Sequence, residues 1–153
     1  MAAHDELTPR VVVGVDGSDQ SKLALRWALA IATSYDAAVV AVAAWQYPSA
    51  SGWGPTAVAW NPEQDMDTCL TQTVDEVFGA QRPEHLHLSV QQGNAAQVLI
   101  AESQGASMLV VGSRGHGGFA GLLLGSVSAN VAEHAHCPVL VIHGDEDPMK
   151  VPA

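Results

Sequence analysis

Apolar positions along this chain alternate between unbroken runs and helically spaced stripes. Arg10 to Val15, Ala37 to Ala44, Met108 to Val111 and Val139 to His143 are short apolar runs with almost no polar interruption. Strands of that kind are buried on both faces and belong in a parallel sheet covered by helices on each side. His85 to Val90 instead alternates polar and apolar residues, which predicts a half-exposed edge strand.

Between these runs the apolar period changes to that of a helix. From Gln20 to Thr33, Leu23, Ala24, Trp27, Ala28 and Ile31 form one stripe, with Lys22 and Arg26 on the other side and Ser18 or Asp19 as the cap. Trp27 lies on the stripe and reads as core filling. Asn61-Pro62-Glu63-Gln64 is a helix start, with a capping Asn and Pro at the first helical position, and Gly79 supplies the stop. Met66, Cys69, Leu70, Thr73, Val74 and Val77 mark its buried face. Asn94 caps a third helix from Ala95 to about Ser103, with Gln97 three residues on. A fourth begins at Ser126 and ends before Cys137-Pro138. Five strands alternating with four helices specify a doubly wound α/β domain.

Composition narrows the class. A chain of 153 residues, 48% hydrophobic and 14% charged, is one domain able to bury a core without disulfides or metal. Six Lys plus Arg against sixteen Asp plus Glu argue against nucleic acid or an anionic membrane as partner. Cys69 and Cys137 have no CxxC spacing and read as buried free thiols. His85 and His87 share one strand face without a third ligand nearby, so solvated histidines are expected. Neither a leader-like N-terminus nor a stretch of membrane-spanning length is present, which points to the cytoplasm. Residues 1–9 read as a flexible tail, 144–153 as a mobile acidic tail, and 46–60, with Trp53 and Trp60, as a long inserted loop rich in Gly, Pro and Ser.

The chemistry concentrates where the fourth apolar run ends. Five glycines lie between Gly112 and Gly121, followed by Gly125-Ser126 at the start of a helix. Glycines allow positive φ and close backbone approach, and a helix start presents open N–H groups, so strand, loop and helix together suit an anion. The bland alternative is a glycine-rich loop that packs helix against strand. Arg114 is the only basic residue in this loop. A polyphosphate there would need backbone N–H groups and a divalent cation for most of its neutralisation.

The spacing Gly112-x2-Gly115-x9-Gly125-Ser126 and the run Val110 to Gly118 resemble the nucleotide-binding type of universal stress protein. Val13-Gly14-Val15-Asp16-Gly17-Ser18 and His136-Cys137-Pro138-Val139-Leu140-Val141-Ile142 agree, and the likeness covers residues 10–143. The resemblance implies a single five-stranded parallel sheet of order 3-2-1-4-5 with helices on both faces. It implies ATP, accompanied by Mg²⁺, with the triphosphate on Gly112, Gly115, Gly125, Ser126, Val127 and Ser128 and with His116 close by. Adenine and ribose are expected against Val15, Asp16, Gly17 and the end of the second strand near Ala44. It further implies a homodimer through Val139 to Ile142, a strand that would otherwise leave an open apolar edge.

Three functions remain open at this point. One is an ATP-binding stress or signalling module sensed by an unknown protein partner. The second is an ATPase, at most a slow one, or a nucleotidyl-transfer enzyme. The third is a domain of the same fold that binds another ligand, such as cyclic AMP, or none. The chain has no G-x4-G-K-[ST], and no second acidic residue near the glycine motif to position a water, which favours the first and assigns no catalytic residue.

Overall fold

The computed structural model describes residues 8–47, 61–114 and 124–150. Within them the chain runs β1 (Arg10–Gly14), α1 (Asp19–Tyr35), β2 (Ala38–Trp45), α2 (Pro62–Phe78), β3 (Leu86–Gln92), α3 (Ala95–Glu102), β4 (Met108–Gly112), α4 (Ser126–His134) and β5 (Val139–Ile142). The strands form one parallel sheet in the order β3-β2-β1-β4-β5. β1 is central, with Val12 level with Val40 of β2 on one side and Leu109 of β4 on the other.

Alternation along β1 divides the core between two faces. Val11 and Val13 pack with Leu23, Ala24 and Ala28 of α1 and Leu70 and Val74 of α2. Val12 packs on the opposite face with Val98 and Leu99 of α3 and Val131 of α4. Both faces are therefore covered, which is why the β1, β2 and β4 runs carry so little polar alternation.

Three helix starts use their predicted caps. Ser18, Asn61 and Asn94 accept hydrogen bonds from the backbone N–H of Ser21, Gln64 and Gln97 at 3.2, 3.1 and 3.2 Å. α4 differs: its cap is Gly125, no side chain among the described residues accepts from the N–H groups of its first turn, and Ser126 is already helical. Ser126, the hydroxyl residue at the predicted start of this helix, stands one residue too far along to cap it.

Other expectations change in tertiary context. Trp27 packs against the core but remains half-buried, and its indole Nε1–H donates to the Glu146 carbonyl at 3.0 Å. The segment 144–150, which its composition suggests is mobile, is tied to α1 by that bond, by Gln20 and by an Arg26–Asp147 ion pair. His85 and His87 are exposed, and the described residues hold no group of three metal-ligating side chains. Both cysteines are free and half-buried. Burial raises the Cys137 thiol above its ordinary pKa, against a smaller pull from the Arg10 guanidinium. No described helix is long and apolar enough to cross a membrane.

Candidate functional site

Placing β1 beside β4 brings two distant loops together at the carboxyl ends of the strands, where the winding reverses. The loop after β1 begins with Val15, whose N–H bonds the Val42 carbonyl at 2.9 Å and so holds the turn against β2. Asp16 follows, its Oδ1 accepting from the Ser18 N–H at 2.9 Å, a local turn that fixes the carboxylate ahead of α1. Gly17 has φ of 86°, a left-handed conformation that closes this turn at no steric cost.

On the β4 side, Ser113 joins three elements. Its N–H donates to Ile142 of β5 at 2.8 Å, and its carbonyl accepts from the Gly125 N–H at 2.7 Å and the Ser128 hydroxyl at 3.0 Å. That last pair brings the start of α4 back to the end of β4, across the span 115–123. The backbone N–H groups of Ser126, Val127 and Ser128 have no acceptor among the described residues, as the first turn of an uncapped helix requires. They lie where the helix dipole is positive.

Between these loops is a cavity of about 180 Å³. Val15, Asp16, Ala44, Gly112, Arg114 and the turn Gly125 to Ser128 all line it. Gly17 does not, because its part is to turn the chain toward Ser18. Gly115 and His116 lie outside the described residues, as do Trp53 and Trp60 of the inserted loop.

The site glycines are explained differently from the sequence-based expectation. Gly112 does not have a positive φ; a Cβ there would stand 2.8 Å from the Gln20 Cβ and 3.1 Å from the Gln20 backbone. It is glycine because α1 crosses the end of β4 at that point. Gly125 is roomier, since a Cβ would meet the nearest atom, the Ser113 carbonyl oxygen, only at 3.4 Å.

One wall was not legible from the motif. Val42, Ala95, Leu99 and Val111 add an apolar part to the cavity lining, and Val127 of the α4 turn packs against the cluster that holds Val42, Leu99 and Val111. Leu99 leans over Gly14, where a Cβ would lie 2.8 Å from its Cδ1. Asn94 capping α3 just after β3 was the available signal, since it puts the i, i+4 pair Ala95 and Leu99 at the carboxyl end of the sheet. The lining combines apolar side chains with a helix start, a guanidinium and a carboxylate, a set that suits a ligand with an apolar end and an anionic end.

Comparison with known proteins gives the family. The universal stress protein family model matches residues 8–143. The chain belongs to the universal stress protein family. It is 35% identical over 143 residues to a universal stress protein of Mycolicibacterium smegmatis, covering 92% of this chain and 47% of that protein. A universal stress protein of Mycobacterium tuberculosis is 34% identical over 142 residues, covering 90% and 46%. This chain thus spans about half the length of the curated relatives it matches. Among solved structures, the universal stress protein UspA from Lactobacillus plantarum superposes with a TM-score of 0.72 at 22% identity, covering 88% of this chain and 97% of that one, a likeness of fold. A universal stress protein solved in complex with cAMP is 31% identical, with a TM-score of 0.62 and coverage of 88% and 96%.

Proposed function

We propose that this universal stress protein domain binds an adenine nucleotide in the cavity between the ends of β1 and β4. The preferred ligand is ATP with Mg²⁺, and the protein is a nucleotide-responsive stress or signalling module with little or no hydrolysis. The observation that carries this is the first turn of α4, whose three leading N–H groups have no acceptor among the described residues and which lines one cavity with Arg114 and an apolar group of side chains.

The phosphates would lie on Gly112, Gly125, Ser126, Val127 and Ser128, with Gly115 and His116 completing the loop, and the adenosine end against Val15, Asp16 and Ala44. Gly17 would contribute through its positive φ, which closes the turn between Asp16 and Ser18. Mg²⁺ is commonly held by one or two carboxylates plus substrate phosphates, and Asp16 is the carboxylate in the cavity lining, so the residues present fit that cation. The chemistry it would supply there is neutralisation of phosphate charge in a protein of formal charge −10.

The relative solved with cAMP, at 31% identity, supports an adenine nucleotide and favours a second reading in which cyclic AMP is the ligand. Calorimetry of the purified protein with MgATP and with cyclic AMP, together with extraction of any co-purifying nucleotide, separates the two. Tighter binding of MgATP supports the first reading, tighter binding of cyclic AMP the second, and no heat with either overturns both. A homodimer through β5 and a cytoplasmic setting belong to the same proposal.

A further inference from the structure

Gln20 stands between the phosphate-side loop and the C-terminal segment and is bonded to both. Its Oε1 accepts from the Ser113 hydroxyl at 3.2 Å, and its Nε2 donates to the Gly144 carbonyl at 2.7 Å. Seven residues along α1, on the same face, Trp27 donates to the Glu146 carbonyl at 3.0 Å. Arg26 pairs with Asp147 at 3.5 Å, and the Asp147 side chain is only 11% exposed. Asp147 also accepts from the N–H groups of Met149 and Lys150, so the segment folds back on itself as it docks. Residues 144–150 are therefore a strap, recognised mainly through main-chain carbonyls.

The other end of the connection is the cavity. Ser113 carries Gly125 and Ser128 on its carbonyl, and the turn from Gly125 to Ser128 lines the cavity. Gly112, the preceding residue, packs directly on the Gln20 backbone, so a displacement of this loop is felt at Gln20. A ligand can shift an equilibrium only through a difference in affinity between two states. An anion at α4 has such a difference, because its N–H partners converge only while Ser113 holds Gly125 in place.

We infer that Gln20 is a positioning residue that couples occupancy of the cavity to attachment of the strap, so that the 144–150 segment is the part of the surface that changes when nucleotide binds. This rests on the nucleotide reading above and adds its output. Linkage makes the coupling reciprocal: nucleotide tightens the strap, and a loosened strap weakens nucleotide by the same factor. With one or two neutral hydrogen bonds in the connection, that factor is about twofold to tenfold.

The test is hydrogen exchange of the 144–150 amides in the full chain, without ligand and with saturating MgATP, with calorimetry on the same samples. The expected result is exchange slowed about twofold to tenfold by MgATP. Gln20→Leu keeps the Cβ against Gly112 but removes both hydrogen bonds, and should abolish the response while lowering MgATP affinity by the same factor. Ser113→Ala cuts the same link from the loop side and serves if Gln20→Leu folds poorly. Trp27→Phe should speed strap exchange with and without MgATP and leave the response in place. Binding of MgATP without any change in strap exchange overturns the coupling and leaves the nucleotide reading standing. A response that survives in both Gln20→Leu and Ser113→Ala overturns the role of Gln20. Absence of MgATP binding overturns the nucleotide reading and the coupling together.

Discussion

A Cβ placed on Gly112 would stand 2.8 Å from the Cβ of Gln20 and 3.1 Å from its carbonyl carbon and oxygen. Backbone cannot step aside as a side-chain tip can, so Gly112→Ala must push α1 away from the end of β4. The expected cost is about 1–3 kcal/mol, read as a lower urea midpoint with unchanged slope. Gly125→Ala, whose Cβ has ordinary contacts, should cost clearly less. Equal midpoints for the two variants would refute the packing account.

Affinity for nucleotide should depend on a backbone N–H at Ser126. Proline at the first helical position breaks no intrahelical bond, and Gly125, with φ of −70° and ψ of 169°, has the conformation a residue before proline prefers. Ser126→Pro should thus leave α4 formed but weaken MgATP roughly tenfold or more, the worth of a hydrogen bond to a charged group. Ser126→Ala, which keeps the N–H, should bind far better than Ser126→Pro. Calorimetry giving the two variants equal affinity would remove the phosphate from α4.

Bound ATP should be held rather than turned over. Arg114 is the one Lys or Arg among the described residues lining the cavity, and N–H groups that bind ground and transition states alike do not accelerate the chemical step. Steady-state phosphate release with Mg²⁺ should fall far below the roughly 10 s⁻¹ typical of enzymes. Turnover near that rate, abolished by Asp16→Asn at unchanged ATP affinity, would make this protein an ATPase.

β5 ends the sheet, and three of its four residues, Val139, Leu140 and Val141, are only partly buried. An apolar edge of that kind needs a cover, and a second copy of the strand across a two-fold axis supplies one. Sedimentation at micromolar concentration should show a dimer, and Val141→Lys should dissociate it. A parent chain that sediments as a monomer would rule this out.

The Cys137 thiol should resist alkylation. Burial raises its pKa, so the reactive thiolate forms only at higher pH than in an unfolded peptide. Sign follows by linkage: the folded chain keeps this proton longer, so the contribution is fully present below the unfolded thiol pKa and is lost as pH rises through the folded one. A pH–rate profile with iodoacetamide, followed by mass spectrometry, should have its midpoint above that of the denatured chain. A midpoint at or below it would show that Arg10 outweighs burial.

The amino-acid sequence by itself determined the order and type of the elements, because period and capping are settled within a few residues of each other. Asn61 and Asn94 start their helices and Gly79 ends one as their own chemistry dictates, and the runs at β1, β2 and β4 announce a sheet covered on both sides. The glycine spacing likewise made the family recognisable before any coordinate. What only the tertiary structure decided are meetings between residues far apart in the chain. Asp16 and Arg114 share a cavity because β1 lies beside β4; Leu99 closes it because α3 covers the same end of the sheet. Gly112 is glycine because of Gln20, and an acidic tail becomes a strap because Gln20, Arg26 and Trp27 offer it donors and a charge. No local pattern encodes such contacts, since the partners are about a hundred residues apart and are brought together only by burial of the sheet between its helices.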